Sequence, residues 1–424
     1  MKRIFTLTLL ALLAIGGAKA TDYVVAGSNA TAFGAEWSNS NASAKMTKNS
    51  ASGYYVYVSN SFTVTAKTTI QFKVTKYKSS GGDWEDSHPD NNYEVYLENA
   101  GTYKLYVFFD GSSTVGAATS WTVAGEPAAV FNGSKWATDA DANEMTYNEE
   151  TGMFEWTSPQ FTYSDAVSFK AVANHSWNSE AYPSSNMDVS VGTKGNSYHL
   201  KVIYDPIKKN TSYNLYITAT MSSNFPYATL YYGSDNLEVP TGVAAYAAHY
   251  SSGNQIDFTA TWSAGEVIPK GTPVVIHGEE AGKEYAFNVK ESATSKSGTN
   301  DLIGTDEAKT IEAEDGYYMY GLNYVTASDG TKTVGFYWQK GTGGSKVDMK
   351  AHRACLTLKQ DAITSTRSAI FFGNGESGEG ETTGVSQVTG HGSQVTNIFD
   401  LQGRKLSKVQ RGVNIVGGKK VLVR

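Results

Sequence analysis

An internal duplication constrains this chain more than any other feature. Trp37, Met46, Gly53 and Phe62 recur as Trp136, Met145, Gly152 and Phe161, each 99 positions later. After small deletions, Phe72-Lys73 returns as Phe169-Lys170 and Trp84 as Trp177. The closing segment Tyr103-Lys104-Leu105-Tyr106-Val107-Phe108-Phe109-Asp110 returns as Tyr198-His199-Leu200-Lys201-Val202-Ile203-Tyr204-Asp205. Chance does not hold four spacings constant, so residues 23–123 and 125–218 are two copies of one domain.

Each copy reads as β-structure. Phe62-Thr63-Val64-Thr65-Ala66 and Thr69-Ile70-Gln71-Phe72-Lys73-Val74 alternate apolar and polar residues, placing one face in a core and the other in water. Turns rich in Gly, Asn and Ser separate these short runs at the spacing of a sandwich. The expected fold is all-β: tandem immunoglobulin-like β-sandwiches at 21–124 and 125–235, then a third β-sandwich at 236–372. A Gly/Glu/Ser/Thr-rich linker at 373–394 leads to a small β C-terminal module at 395–424, with hairpin turns at Asp400-Leu401-Gln402-Gly403-Arg404 and Gly417-Gly418-Lys419-Lys420.

The N-terminus has the form of an export signal. Lys2 and Arg3 precede an apolar run from Ile4 to Gly16, and Ala18-Lys19-Ala20 offers the small-x-small site that a signal peptidase accepts. Residues 1–20 are therefore expected to be removed. No Cys sits there to carry a lipid. No later stretch approaches the ~18 apolar residues of a membrane helix, so no transmembrane anchor is expected in the mature chain. Cys355 is the only cysteine, so no internal disulfide staples the domains, and its run Ala354-Cys355-Leu356-Thr357-Leu358 reads as a buried apolar position.

Net charge is −6, and charged residues are only 18% of the chain, which argues against a nucleic-acid partner. The metalloprotease, phosphate-loop and nucleophile-elbow motifs are absent, and the seven His residues show no paired metal-ligand spacing. Neither an enzyme nor a bound metal or cofactor is expected. Tyr is abundant at 27, alongside 42 Gly. This composition suits neutral ligands rich in hydroxyls.

Three segments resemble known families. Ile398-Phe399-Asp400-Leu401-Gln402-Gly403-Arg404-Lys405, followed by Gly412-Val413-Asn414-Ile415 and Gly418-Lys419-Lys420-Val421-Leu422-Val423, resembles the C-terminal sorting module of exported Bacteroidetes proteins. That resemblance implies contact with secretion or outer-membrane uptake machinery and display at the cell surface or release. The Phe-Lys strand, the Trp after it and the closing Tyr-x-Leu/Val-x-Val-Phe/Ile-Phe/Tyr-Asp strand resemble the immunoglobulin-like starch-binding modules of the outer-membrane proteins SusE and SusF. The third domain, with Ile268-Pro269-Lys270-Gly271-Thr272-Pro273-Val274 and Val334-Gly335-Phe336-Tyr337, resembles a β-sandwich common in secreted Bacteroidetes proteins, a family without an assigned activity.

A sugar site needs a flat apolar face against the C–H bonds of the ring, with polar groups nearby for the hydroxyls. Each such contact is worth on the order of 1 kcal/mol, so duplicated weak sites suit a long polymer through avidity. The candidates in the first copy are Trp84, in the polar run Gly81-Gly82-Asp83-Trp84-Glu85-Asp86, with Lys73 and Asn92. In the second they are Trp177, in Asn174-His175-Ser176-Trp177-Asn178, with Lys170 and Asn186. The competing reading has these Trp side chains capping the sandwich cores. Trp37 and Trp136 read more readily as core, though either offers a second platform, and Lys73 and Lys170 read equally as ordinary solvated lysines. The expected function is polysaccharide binding, with starch or another α-glucan as partner. The alternative is a structural or adhesive surface protein without a sugar site.

Overall fold

The computed structural model describes residues 22–363 except 253–254, 327–331 and 339–342. It also describes the strands Ala369–Phe372, Ile398–Phe399, Lys405–Leu406, Gly412–Val416 and Lys419–Val423. The leader at 1–20 and the linker at 373–394 lie outside the described residues. The chain is all-β. Among the described residues the one α-helix is a single turn, α1 (Ala30–Phe33), capped by Asn29 Oδ1 accepting from the Ala32 amide. No helix there is long and apolar enough to cross a membrane.

The first copy runs through β1 (Tyr23–Gly27), β2 (Thr47–Lys48), β3 (Tyr55–Val58), β4 (Phe62–Val64), β5 (Thr68–Lys76), β6 (His88–Leu97), β7 (Gly101–Tyr103), β8 (Tyr106–Phe109) and β9 (Val115–Ala118). One sheet has the order β1-β5-β6, the facing sheet β2-β3-β8-β9, and β4 pairs β7. The period-two pattern decides which side chains meet: Ile70, Phe72 and Val74 of β5 are buried against Val107 and Phe109 of β8 in one apolar core.

The second copy repeats this plan with β10 (Trp121–Glu126), β11 (Thr146–Asn148), β12 (Met153–Thr157), β13 (Phe161–Thr162), β14 (Ser168–Ala173), β15 (Ala181–Asp188), β16 (Ser197–Asp205) and β17 (Asn210–Thr220). Its sheets are β10-β14-β15 and β11-β12-β16-β17, with β13 on β16 in the place of the β4–β7 pair. An irregularity recurs as well. In β5–β6, Phe72 faces Tyr93 and Val74 faces His88, so residues 89–92 bulge out opposite Lys73 alone. In β14–β15, Phe169 faces Met187 and Ala171 faces Tyr182, so residues 183–186 bulge out opposite Lys170. Both excursions open with a cis X-Pro bond, His88-Pro89 and Tyr182-Pro183.

The two copies are packed together rather than strung on a linker. The Tyr54 hydroxyl donates to the Asp205 carboxylate at 3.0 and 3.2 Å, in a buried position. Phe108 belongs to the second copy's core, with its ring 5.7 Å from Phe154 in an edge contact.

The third sandwich is continuous with the second. It begins with β18 (Tyr227–Leu230), β19 (Asn236–Glu238), β20 (Val243–Ser252), β21 (Gln255–Trp262), β22 (Val267–Ile268), β23 (Val274–Gly278) and β24 (Glu284–Lys290). β17 pairs β24 directly, from Tyr216↔Asn288 to Thr220↔Glu284, so one sheet crosses the expected boundary at 235. β18 lies within the range 125–235 and yet pairs β23 of the third sandwich. The physical reason is the length of β17. Its second half extends beyond the partner strand β16, and its exposed edge is satisfied by β24. Residues up to 372 form one compact unit and 373–424 another. In the latter, Ile398–Phe399 pairs antiparallel with Lys405–Leu406, and Gly412–Val416 with Lys419–Val423.

Cys355 is fully buried with Met319, Val347 and Met349, and burial pushes its thiol up to about 12, which keeps it protonated and inert at neutral pH.

Candidate functional site

The four tryptophans singled out by the repeat form two pairs. Trp37 and Trp84 have ring centroids 6.1 Å apart with planes inclined by 35°, and Trp136 and Trp177 lie 6.3 Å apart at 50°. All four stand outside the sandwich cores. Trp37, Trp84 and Trp136 are half-buried, and Trp177 is 48% exposed. The core reading of Trp37 and Trp136 is therefore corrected. Each sits beyond the end of a first strand, where its amide donates 2.9 Å to the carbonyl of Gly27 or Gly125. Each also takes a left-handed backbone, with φ of 43° and 53°. A bulky residue in that region is strained by about 1–3 kcal/mol, so its retention in both copies marks an enforced geometry.

The local construction is the same in both pairs. Two residues after the first Trp, a side chain reaches the carbonyl two residues before the second Trp. Asn39 Nδ2 donates to Gly82 O at 3.0 Å, and Thr138 Oγ1 donates to His175 O at 2.9 Å. Asn39 is almost fully buried, so its amide is locked by this bond and by Lys78 N donating to its backbone carbonyl at 3.0 Å. The sequence changes from Asn to Thr while the tie persists. This tie was not foreseen from sequence; only the fixed offset of Trp37 and Trp136 hinted at it.

Charged groups secure the loops around the rings. Lys78 pairs with Glu85 at 2.9 Å and draws its carboxyl below the ordinary range. His88 bonds Asp86 at 3.0 Å and, with Lys76 at 3.4 Å, holds that carboxyl low as well. In the second copy His175 meets Glu144 at 3.1 Å, which raises the imidazole above its ordinary value. Lys135 lowers the Glu126 carboxyl, and the Trp136 indole N–H adds to that effect. Exposed pairs of this kind contribute little stability and act by fixing the loops in place.

The remaining candidates lie elsewhere. Lys73 Nζ donates to Asp90 O and Lys170 Nζ to Ser184 O, both at 2.6 Å. Each lysine thus clasps the four-residue excursion opposite it. Asn92 and Asn186 occupy the same place in the two copies, as the last residue of that excursion, and both are exposed. Asn92 also makes a long 3.4 Å contact to Gln71. Among the described residues no group of three or more His, Cys, Asp or Glu side chains is arranged to hold a metal ion.

A paired indole surface of this type offers apolar faces at the protein boundary with backbone and amide groups beside them. It suits stacking of a flat, partly apolar ligand. No protein-family profile matches the chain, and no curated protein matches it.

Proposed function

We propose that this is an exported, non-catalytic polysaccharide-binding protein of the cell surface or extracellular space, taking starch or a related α-glucan. Two indole shelves, Trp37–Trp84 and Trp136–Trp177, would each receive sugar rings. The observation that carries this reading is the recurrence of the same non-core Trp pair, tied by the same side-chain-to-carbonyl bond, in both copies. Two weak sites on one rigid body favour a polymer over a monosaccharide. The third sandwich then acts as spacer, and the leader and C-terminal module serve delivery to the surface.

The second reading, a structural or adhesive surface protein, draws support from the buried Tyr54–Asp205 contact and the sheet shared through β17 and β24, which stiffen the chain. Affinity electrophoresis of the mature protein in starch, dextran, xylan and mucin gels separates the two. Retardation by starch is expected; unretarded migration in all four gels removes the polysaccharide reading and leaves the structural one.

A further inference from the structure

A cleft of about 710 Å³ lies between the two copies, within the size range of ligand sites, roughly 300–1,000 Å³. One wall is the 89–92 excursion of the first copy with the strand that follows it, including Asn91, Asn92 and Tyr93. The other wall is the loop that carries Trp177, with Ala173 and Asn174 before the indole and Asn178, Ser179 and Glu180 after it. The first copy also holds that loop in place. Glu98 accepts from Ser176 Oγ at 2.7 Å and from Asn178 Nδ2 at 3.4 Å, and these bonds keep its carboxyl below the ordinary range. Trp177 is thus flanked on both sides by residues bonded to the neighbouring module.

We infer that the second shelf is a composite site, in which a neutral glucan chain seated on Trp177 continues into the cleft and is hydrogen-bonded there by Asn92 and Asn178. This rests on the polysaccharide reading above. The chemistry selects the ligand class. Primary amides both donate and accept, which matches sugar hydroxyls, and the Tyr93 ring adds an apolar surface. Glu94 and Glu180 line the same cleft, and the latter is paired with Lys209 at 2.6 Å, so no cation there is left to attract a uronate or sulfate. Acidic glycans are disfavoured. Asn92, grouped by sequence with Trp84, belongs by position with Trp177.

The test is titration calorimetry of the full mature chain, in a Trp84→Ala background that silences the first shelf, with maltotriose and maltoheptaose. Adding Asn92→Ala with Asn178→Ala is expected to weaken maltoheptaose roughly two- to tenfold, the effect of one or two lost hydrogen bonds, while maltotriose changes little. Both side chains are exposed and the shorter Ser176–Glu98 bond remains, so the variant keeps its fold and the anchor of the Trp177 loop. Adding Trp177→Ala instead should weaken both sugars. Unchanged maltoheptaose affinity in the Asn variant, or an equal loss for both sugars, overturns the composite site and leaves the shelf intact. Undiminished binding after Trp177→Ala, or no binding of either sugar by the unmutated chain, overturns the shelf reading and the composite site together.

Discussion

Asn39 donates its side-chain amide to the carbonyl of Gly82 across 3.0 Å, and this one bond fastens the segment bearing Trp37 to the segment bearing Trp84. Its counterpart runs from Thr138 to His175. Two loops of different length and sequence are thereby brought to the same arrangement of rings. The Gly-rich first loop reaches it through left-handed Gly81 and Gly82, and the shorter second one through left-handed Asn174 and His175.

Removing the tie should loosen the shelf without unfolding the sandwich. Asn39→Ala and Thr138→Val are each expected to weaken glucan binding several-fold while costing about 1 kcal/mol of stability. The check is tryptophan emission, which should shift to longer wavelength as Trp84 or Trp177 moves into water.

The paired rings should act as units. Trp84→Ala with Trp177→Ala is expected to abolish retardation in starch gels. Within one shelf, Trp37→Ala and Trp84→Ala should be non-additive, with a coupling of about 0.5–1.5 kcal/mol in a double-mutant cycle on binding. Strict additivity would show that the two rings serve separate purposes.

The clasping lysines predict a different signature. Lys73→Ala and Lys170→Ala should each lower the urea midpoint by an amount worth about 1 kcal/mol, since an exposed charge-assisted bond to a carbonyl is lost. Glucan affinity on the Trp84 shelf should be unaffected by Lys73→Ala. A loss of affinity with unchanged stability would instead return Lys73 to the ligand.

Alkaline pH should weaken the fold. Burial, assisted by Asp205, pushes the Tyr54 phenol from 10.0 up to about 12, and burial pushes Tyr57 and Tyr93 to about 12 as well. A folded-state value above the unfolded one means that the native state holds the proton longer. Its stabilisation is complete below pH 10 and is lost as pH rises from 10 through about 12. Urea midpoints measured between pH 8 and 12 should fall only above 10, and Tyr54→Phe should reduce the slope.

Phe108 belongs to the first copy's strand β8 yet sits in the second copy's core, so Phe108→Ala should destabilise the pair of modules by about 3–5 kcal/mol. Calorimetry should show both modules melting together in the unmutated chain. Two separate transitions would indicate that the inter-module packing contributes little.

Much of this architecture was legible in the residues. The duplication, the alternating strands and the burial of Cys355 follow from spacing and apolar pattern, because both are local consequences of side chains taking opposite faces. The pairing of Trp37 with Trp84 was not readable, since the bond that enforces it joins a side chain to a carbonyl and leaves no periodic trace. Asn92 was legible as a polar residue in a useful place, but its wall of the cleft exists only once Tyr54, Phe108 and Asp205 have docked the copies. The continuation of β17 onto β24 was equally hidden, because an unpaired edge says that a partner is needed and does not name it.

On the polysaccharide reading, the Tyr54–Asp205 contact decides which polymers would engage both shelves at once. A hinge between the modules would let the two shelves slide to meet any chain. A buried junction turns them into a caliper with a set gap, so glucans of identical chemistry but different helical pitch should be graded by whether their repeat fits it.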